Sequence, residues 1–236
     1  MKWLFVAVVA LSAAGLLSAW FCYGETPATS WDSPKMASLQ RQWESIEAEL
    51  DKHPQDQEWW ENVKLKEHAL LKKSLTVPEM RHLAATCGAV PMGVEDLDDF
   101  HWSVIVYIAV AFMENGDREG LVTLFSRRFP ESLWPEEATA RRLIRFSNKA
   151  MKDPVLVLGE AYSRCKDHDV RRKLAKTVRC EFEHLPVTAS SDDAQFVSNA
   201  MQWYEKNKAH LRPRDSYTPG HPYTSFQDDR EEPRKR

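Results

Sequence analysis

The sequence predicts an all-α protein: an irregular helical bundle or a short solenoid-like stack of helical pairs, preceded by an N-terminal membrane-spanning or signal helix. Three observations carry this. Apolar residues from Met36 to Tyr204 recur mostly three and four positions apart, the period of a helix face, with few alternating runs. Glycine is scarce, Gly159 being the sole one between Leu121 and Pro219. Trp3 to Tyr23, WLFVAVVALSAAGLLSAWFCY, is an uncharged stretch of 21 residues behind Lys2. The chain therefore divides into a signal anchor or signal peptide (1–24), a linker (25–34), one all-helical domain (35–208) and a polar tail (209–236) expected to be disordered.

The opening stretch is long enough to span a bilayer core of about 30 Å at about 1.5 Å per residue. A cleaved signal has an apolar region of about 7–15 residues and small residues before the cut. Here the run is longer, and cleavage after Ala19 or Gly24 would leave Leu17 or Cys22 at the −3 position. Trp3 at one end and Trp20, Phe21 and Tyr23 at the other stand where a spanning helix places its interfacial aromatics. These features favour a retained anchor. Lys2 lies before the stretch and no Lys or Arg follows until Lys35, so the positive-inside rule puts the helical domain outside the cytosol. Release after cleavage, as a secreted or periplasmic protein, is the alternative.

Ser33-Pro34 supplies an N-cap and a proline at the first helical position, and opens the first helix. Met36, Leu39, Trp43, Ile46 and Leu50 form an apolar seam of two heptads, short of the three to four that a coiled coil needs. It is expected to pack on its own domain, and His53-Pro54 to end it. A second helix follows from Gln57 to Lys73. Thr76-Val-Pro-Glu79 reads as a capping box ahead of Met80, Leu83, Ala84 and Cys87. Gly88 to Asp99, GAVPMGVEDLDD, reads as the longest irregular internal segment.

Phe100 to Met113 is apolar nearly all round, and should be the central buried element. Its β-branched centre suits a strand, whereas its length and the Asn115-Gly116 stop favour a helix. Further helices are expected over Asp117–Phe129, from Trp134 to about Ala150, from Asp153-Pro154, over Val170–Leu185 and over Asp192–Lys208. The tail from His210 holds four prolines and alternating charges with few aliphatics.

Within the hairpin of residues 153–185, Asp167-His-Asp-Val-Arg-Arg-Lys-Leu-Ala175 resembles the start of the second helix in a HEAT or armadillo-like repeat. The resemblance covers one helical pair of about 30 residues; no second copy stands at the 40–47-residue period of such arrays. It implies a helical stack that binds another protein.

No complete catalytic, nucleotide or metal motif is present, and no cofactor is expected. Glu79-x-x-His82 and Glu181-x-x-His184 have the spacing of di-iron sites. Glu79 is already claimed by the capping box, and His184 sits at a helix end beside Leu185-Pro186. Asp167-His168-Asp169 reads as a helix cap. The net charge of −3, with both signs interspersed, implies no nucleic-acid partner. Among Cys22, Cys87, Cys165 and Cys180, the geometry of the 153–185 hairpin keeps Cys165 and Cys180 beyond disulfide reach. That leaves Cys87–Cys180 or Cys87–Cys165 as the possible bridge; the plainer reading is buried thiols.

The leading expectation is a membrane-anchored or exported domain that binds an unidentified protein or itself. Trp31 and Trp134, two of nine tryptophans, are candidate interface anchors, the alternative being that they cover the ends of the core. A second expectation is an enzyme or ligand-binding domain with a site around His101, Asp98 and Asp99. A third is a structural spacer of the envelope, with the tail as its contact segment.

Overall fold

The structure is a computed structural model that describes residues 29–49, 57–89, 99–128, 153–182, 185–213 and 226–228. The membrane stretch with Trp3, Trp20, Phe21, Tyr23 and Cys22, the acidic residues 94–98, the helix expected from Trp134 and His184 lie outside the described residues. Those described form eight α-helices and one pair of short strands. No helix among them is long and apolar enough to cross a membrane.

Helix α1 (Pro34–Glu47) starts where its cap predicts: the Ser33 hydroxyl accepts from the Met36 N–H at 3.3 Å, with proline in the first turn. Met36, Leu39 and Trp43 are its buried stripe. It closes at Glu47 rather than at His53-Pro54, because the Glu49 N–H bonds back to the Ile46 carbonyl and tightens the end into a turn. Helix α2 (Gln57–Ser74) packs against α1, and Leu75-Thr76 leads into α3 (Val77–Thr86). The capping box forms there, with the Glu79 carboxylate accepting from the Thr76 N–H at 2.9 Å and the Thr76 hydroxyl at 2.8 Å. A short 3₁₀ turn, Cys87–Ala89, continues α3.

Asp99–Asn115 is helix α4, so length and stop signal outweigh the β-branched centre. No residue from Phe100 to Met113 is exposed, and α4 touches α1, α2, α3 and the helix that follows. Asn115-Gly116 ends it in a Schellman motif: the Asp117 N–H reaches the Phe112 carbonyl at 2.8 Å and the Gly116 N–H reaches that of Met113 at 3.3 Å. Gly116 has φ of 67°, which a side chain would strain. Asp117 then caps α5 (Arg118–Arg127), accepting from the Gly120 N–H at 3.0 Å, while its second oxygen accepts from Arg81 of α3 at 2.8 Å. One residue thus closes α4 through its backbone N–H, and through its side chain starts α5 and ties it to α3.

Helix α6 (Leu156–Arg164) begins two residues later than the Asp153-Pro154 cap predicts. Asp153 adopts φ of 49° and its carboxylate accepts from Lys208 Nζ at 2.5 Å instead of capping the helix. This holds the entry to α6 against the far end of the chain. Asp167 caps α7 (His168–Phe182), accepting from the Asp169 and Val170 N–H groups at 2.9 Å each. Asp192 caps α8 (Asp193–Asn207), accepting from the Gln195 N–H at 2.7 Å. The described helices form a succession in which α5 packs on α3, α4 and α6, α7 on α6, and α8 on both α6 and α7.

The tail is not wholly without order. Leu211 packs on the core, and β1 (Leu211–Pro213) pairs antiparallel with β2 (Phe226–Asp228), Arg212 opposite Gln227. Composition argued against order because it sums over the whole tail, whereas the ladder needs only six residues and one apolar anchor.

A Cβ on Gly120 would sit 2.9 Å from two ring atoms of Phe112, a fully buried residue. Overpacking of this kind costs about 1–3 kcal/mol. Gly120→Ala is expected to lower the thermal midpoint in a calorimetric melt, and an unchanged midpoint would refute this close approach of α4 and α5.

Candidate interaction surface

Among the described residues, two adjoining hollows lie where α6, α7 and α8 meet, at the C-terminal end of the helical domain. Helices α6 and α8 approach closely because Gly159 has no side chain: a Cβ there would lie 2.5 Å from Met201 Cγ. Beside this contact runs a groove of about 530 Å³, with Leu156, Val197 and Met201 as its apolar floor and Ser163, Ser198 and Gln202 on its rim. A smaller hollow of about 280 Å³ adjoins it, lined by Tyr162, His168, Arg171, Arg172 and Asp193. Tyr162 and Arg171 belong to both.

The three arginines at or beside this surface differ in occupation. The Arg179 guanidinium lies 4.5 Å over the Phe196 ring and donates to the Asp193 carboxylate at 2.9 Å and the Ser190 carbonyl at 2.8 Å. Its donors are used to hold the start of α8. The Arg171 guanidinium lies 4.5 Å over the Tyr162 ring, and among the described residues it has no carboxylate partner. Among the described residues, the ion pair of Arg172 is with the exposed Asp169, at 3.4 Å, a contact that water screens. The edge between the hollows is therefore cationic, and a planar guanidinium already oriented on a ring faces it.

The residues singled out from sequence are dispersed. Trp31 is 9 % exposed; its indole N–H donates to the Leu83 carbonyl at 3.1 Å and its ring lies 5.4 Å from that of His101. It covers the core between the residues preceding α1 and helix α3, so it offers no face to a partner. Trp134 is outside the described residues. The His101 ring is half-buried between those of Trp31 and Phe100, 5.5 Å from the latter. Asp98 lies outside the described residues and Asp99 is the first residue of α4, with its side chain undescribed.

Cys87, Cys165 and Cys180 are in no disulfide among the described residues, so neither possible bridge, Cys87–Cys180 or Cys87–Cys165, is formed, and the plainer reading as buried thiols fits Cys87 and Cys165. Cys87 is fully buried at the end of α3 and Cys180 stands on the exposed side of α7, facing water rather than the core. Glu79 serves the start of α3, and its carboxylate also accepts from the Thr29 hydroxyl and from Lys35 Nζ at 2.6 Å. Asp167 of the Asp-His-Asp triplet is the cap of α7. Among the described residues no group of three metal-ligating side chains converges.

Arg171 and the Gly159–Met201 approach carry the surface, and neither was a sequence-level candidate. A signal for the second existed: a lone glycine inside a helical pattern marks a close approach. Arg171 gave none, since a basic residue on a helix is ordinarily just solvated.

Two consequences are measurable. Burial disfavours ionisation of Glu79, but hydrogen bonds from Lys35, Thr29 and Thr76 outweigh it and hold its pKa at about 2, against 4.5 for a free side chain. Because the folded value is the lower one, the stabilisation is fully present above about pH 4.5 and is lost as pH falls toward 2. Glu79→Gln is expected to cost about 1 kcal/mol at neutral pH in urea denaturation, the gap to wild type closing between those two pH values; a pH-independent gap would contradict this. Burial pushes the Cys87 thiol up to about 12 and raises that of Cys165. Of Cys87, Cys165 and Cys180, iodoacetamide at pH 8 should label Cys180 alone in the native protein and all three once unfolded; native labelling of Cys87 would place it at the surface.

Comparison with protein-family models, with curated proteins and with solved structures found no match to this chain, so its surface is interpreted on its own chemistry.

Proposed function

We propose that this chain is a protein-interaction or scaffolding domain, anchored in a membrane by Trp3–Tyr23 with its helical part outside the cytosol. The observation that carries the first half is the groove between α6 and α8: an apolar floor beside a cationic edge, built on rigid helices rather than loops. Such a surface buries one or two apolar side chains of a partner and selects it by charge. The likeness of residues 153–185 to a HEAT or armadillo-like helical pair points the same way. The second half rests on the length, aromatic ends and poor cleavage sites of the opening stretch.

Each half has its own test. Crosslinking in native membranes is expected to recover a specific partner or a homo-oligomer, and recovery of neither would end the interaction reading. Fractionation with amino-terminal sequencing should find the protein in the membrane pellet with Trp3–Tyr23 retained. A mature terminus after Ala19 or Gly24 would refute the anchor and leave the binding role intact.

A further inference from the structure

We infer that the surface of α6, α7 and α8 docks an acidic segment of another protein, an apolar side chain in the groove and a neighbouring carboxylate on Arg171. This rests on the interaction reading above and specifies the partner's chemistry.

The apolar part follows from the floor. Val197 is 3 % exposed and Tyr162 8 %, so both are fixed from beneath, while Leu156 and Met201 are half-buried and present carbon to the groove. A groove of about 530 Å³ accepts a side chain of leucine or phenylalanine size, and methionine in its floor adapts to either.

The acidic part follows from the charges at the wall. Within reach of the shared edge stand His168, Arg171 and Arg172 from α7 and Asp193 from α8. Asp193 is neutralised by Arg179 and belongs to the α8 start. Asp169 is three-quarters exposed and faces His168 and Arg172 at 3.9 and 3.4 Å. On α6, Glu160 pairs with Arg118 and Arg164, at 2.7 and 2.5 Å, which balances that side of the groove. Arg171 alone among these charges has no ionic partner among the described residues, and it is the one on the wall common to both hollows. Placed over the Tyr162 ring, its guanidinium has lost part of the freedom that binding would otherwise remove, and its fork of donors matches a carboxylate bidentately. A neutral or basic segment would bury the groove and leave this cation facing nothing of opposite charge.

The experiment uses the full chain in detergent micelles and fluorescein-labelled twelve-residue peptides, read by fluorescence polarisation. The peptides carry a central Leu or Phe flanked by Asp and Glu, beside matched sets with Asn and Gln or with Lys and Arg. The acidic set is expected to bind most tightly, with affinity falling as salt rises. Arg171→Glu should weaken it by about tenfold or more and Arg171→Lys by less, since lysine keeps the charge but not the fork. Ala194→Trp, at an exposed lining position of α8, should block binding with the helical spectrum and thermal midpoint unchanged. The inference is overturned if the acidic set binds no tighter than the Asn and Gln set. It is overturned equally if Arg171→Glu leaves affinity unchanged, or if none of the peptide sets binds. Where native crosslinking recovers a partner whose yield neither Arg171→Glu nor Ala194→Trp reduces, this inference fails while the interaction reading stands.

Discussion

Helix α4 has no polar stripe to turn toward water. Phe100, Val104, Ile105, Ile108, Phe112 and Met113 are each buried to within 1 % of full enclosure and together point to more than one side of the helix axis. A helix of this kind is stable only inside other helices, because each large apolar side chain left in water forfeits about 1.5–3 kcal/mol. Of the helices that provide the enclosure, α1 and α3 carry single apolar stripes, whereas α5 is itself enclosed, with no residue from Gly120 to Ser126 exposed. Trp43 meets Phe100 at 5.9 Å from one side, and Gly120 lets α5 press on Phe112 from another. The N-terminal two-thirds of the domain is organised around that requirement.

The C-terminal helices are set on this body through α5. Asp117 joins the end of α4 to α3 and starts α5, α5 carries α6, and Lys208 fixes the entry of α6 from beyond α8. The groove thus lies beside a helix, α6, that is fixed at its entry by Lys208 and packed on α5. Exposed ion pairs such as that of Arg164 with Glu119 add little energy, yet they orient α6 relative to α5.

Much of the fold was legible in the chain because its punctuation is local chemistry. Ser33-Pro34, Thr76 to Glu79, Asn115-Gly116 and Asp192 each act through atoms within a few residues, so reading them needs no tertiary knowledge. Where a distant partner intervenes, local reading fails. Asp153 looked like a cap before proline, but Lys208, 55 residues away, takes its carboxylate. Trp31 looked like an exposed loop aromatic, but the Leu83 carbonyl, 52 residues away, fixes its indole. The candidate surface was the least legible part, since it arises from two helices meeting at a glycine and from an arginine whose partner is a ring on the preceding helix.

The order in which the described helices touch has a kinetic meaning. Each packs largely on helices that precede it or lie next in the chain: α2 on α1, α4 on the first three, α5 on α3 and α4, α6 on α5, and α7 and α8 on the pair before them. Contacts of short sequence separation close cheaply, and helical arrays rich in them fold within microseconds to milliseconds. Ribosomal synthesis adds about 5–20 residues per second, far slower than that. The growing chain therefore assembles from its amino-terminal side as it emerges, and the Lys208–Asp153 contact, whose lysine comes after α8, locks the last helices only when nearly everything else is in place.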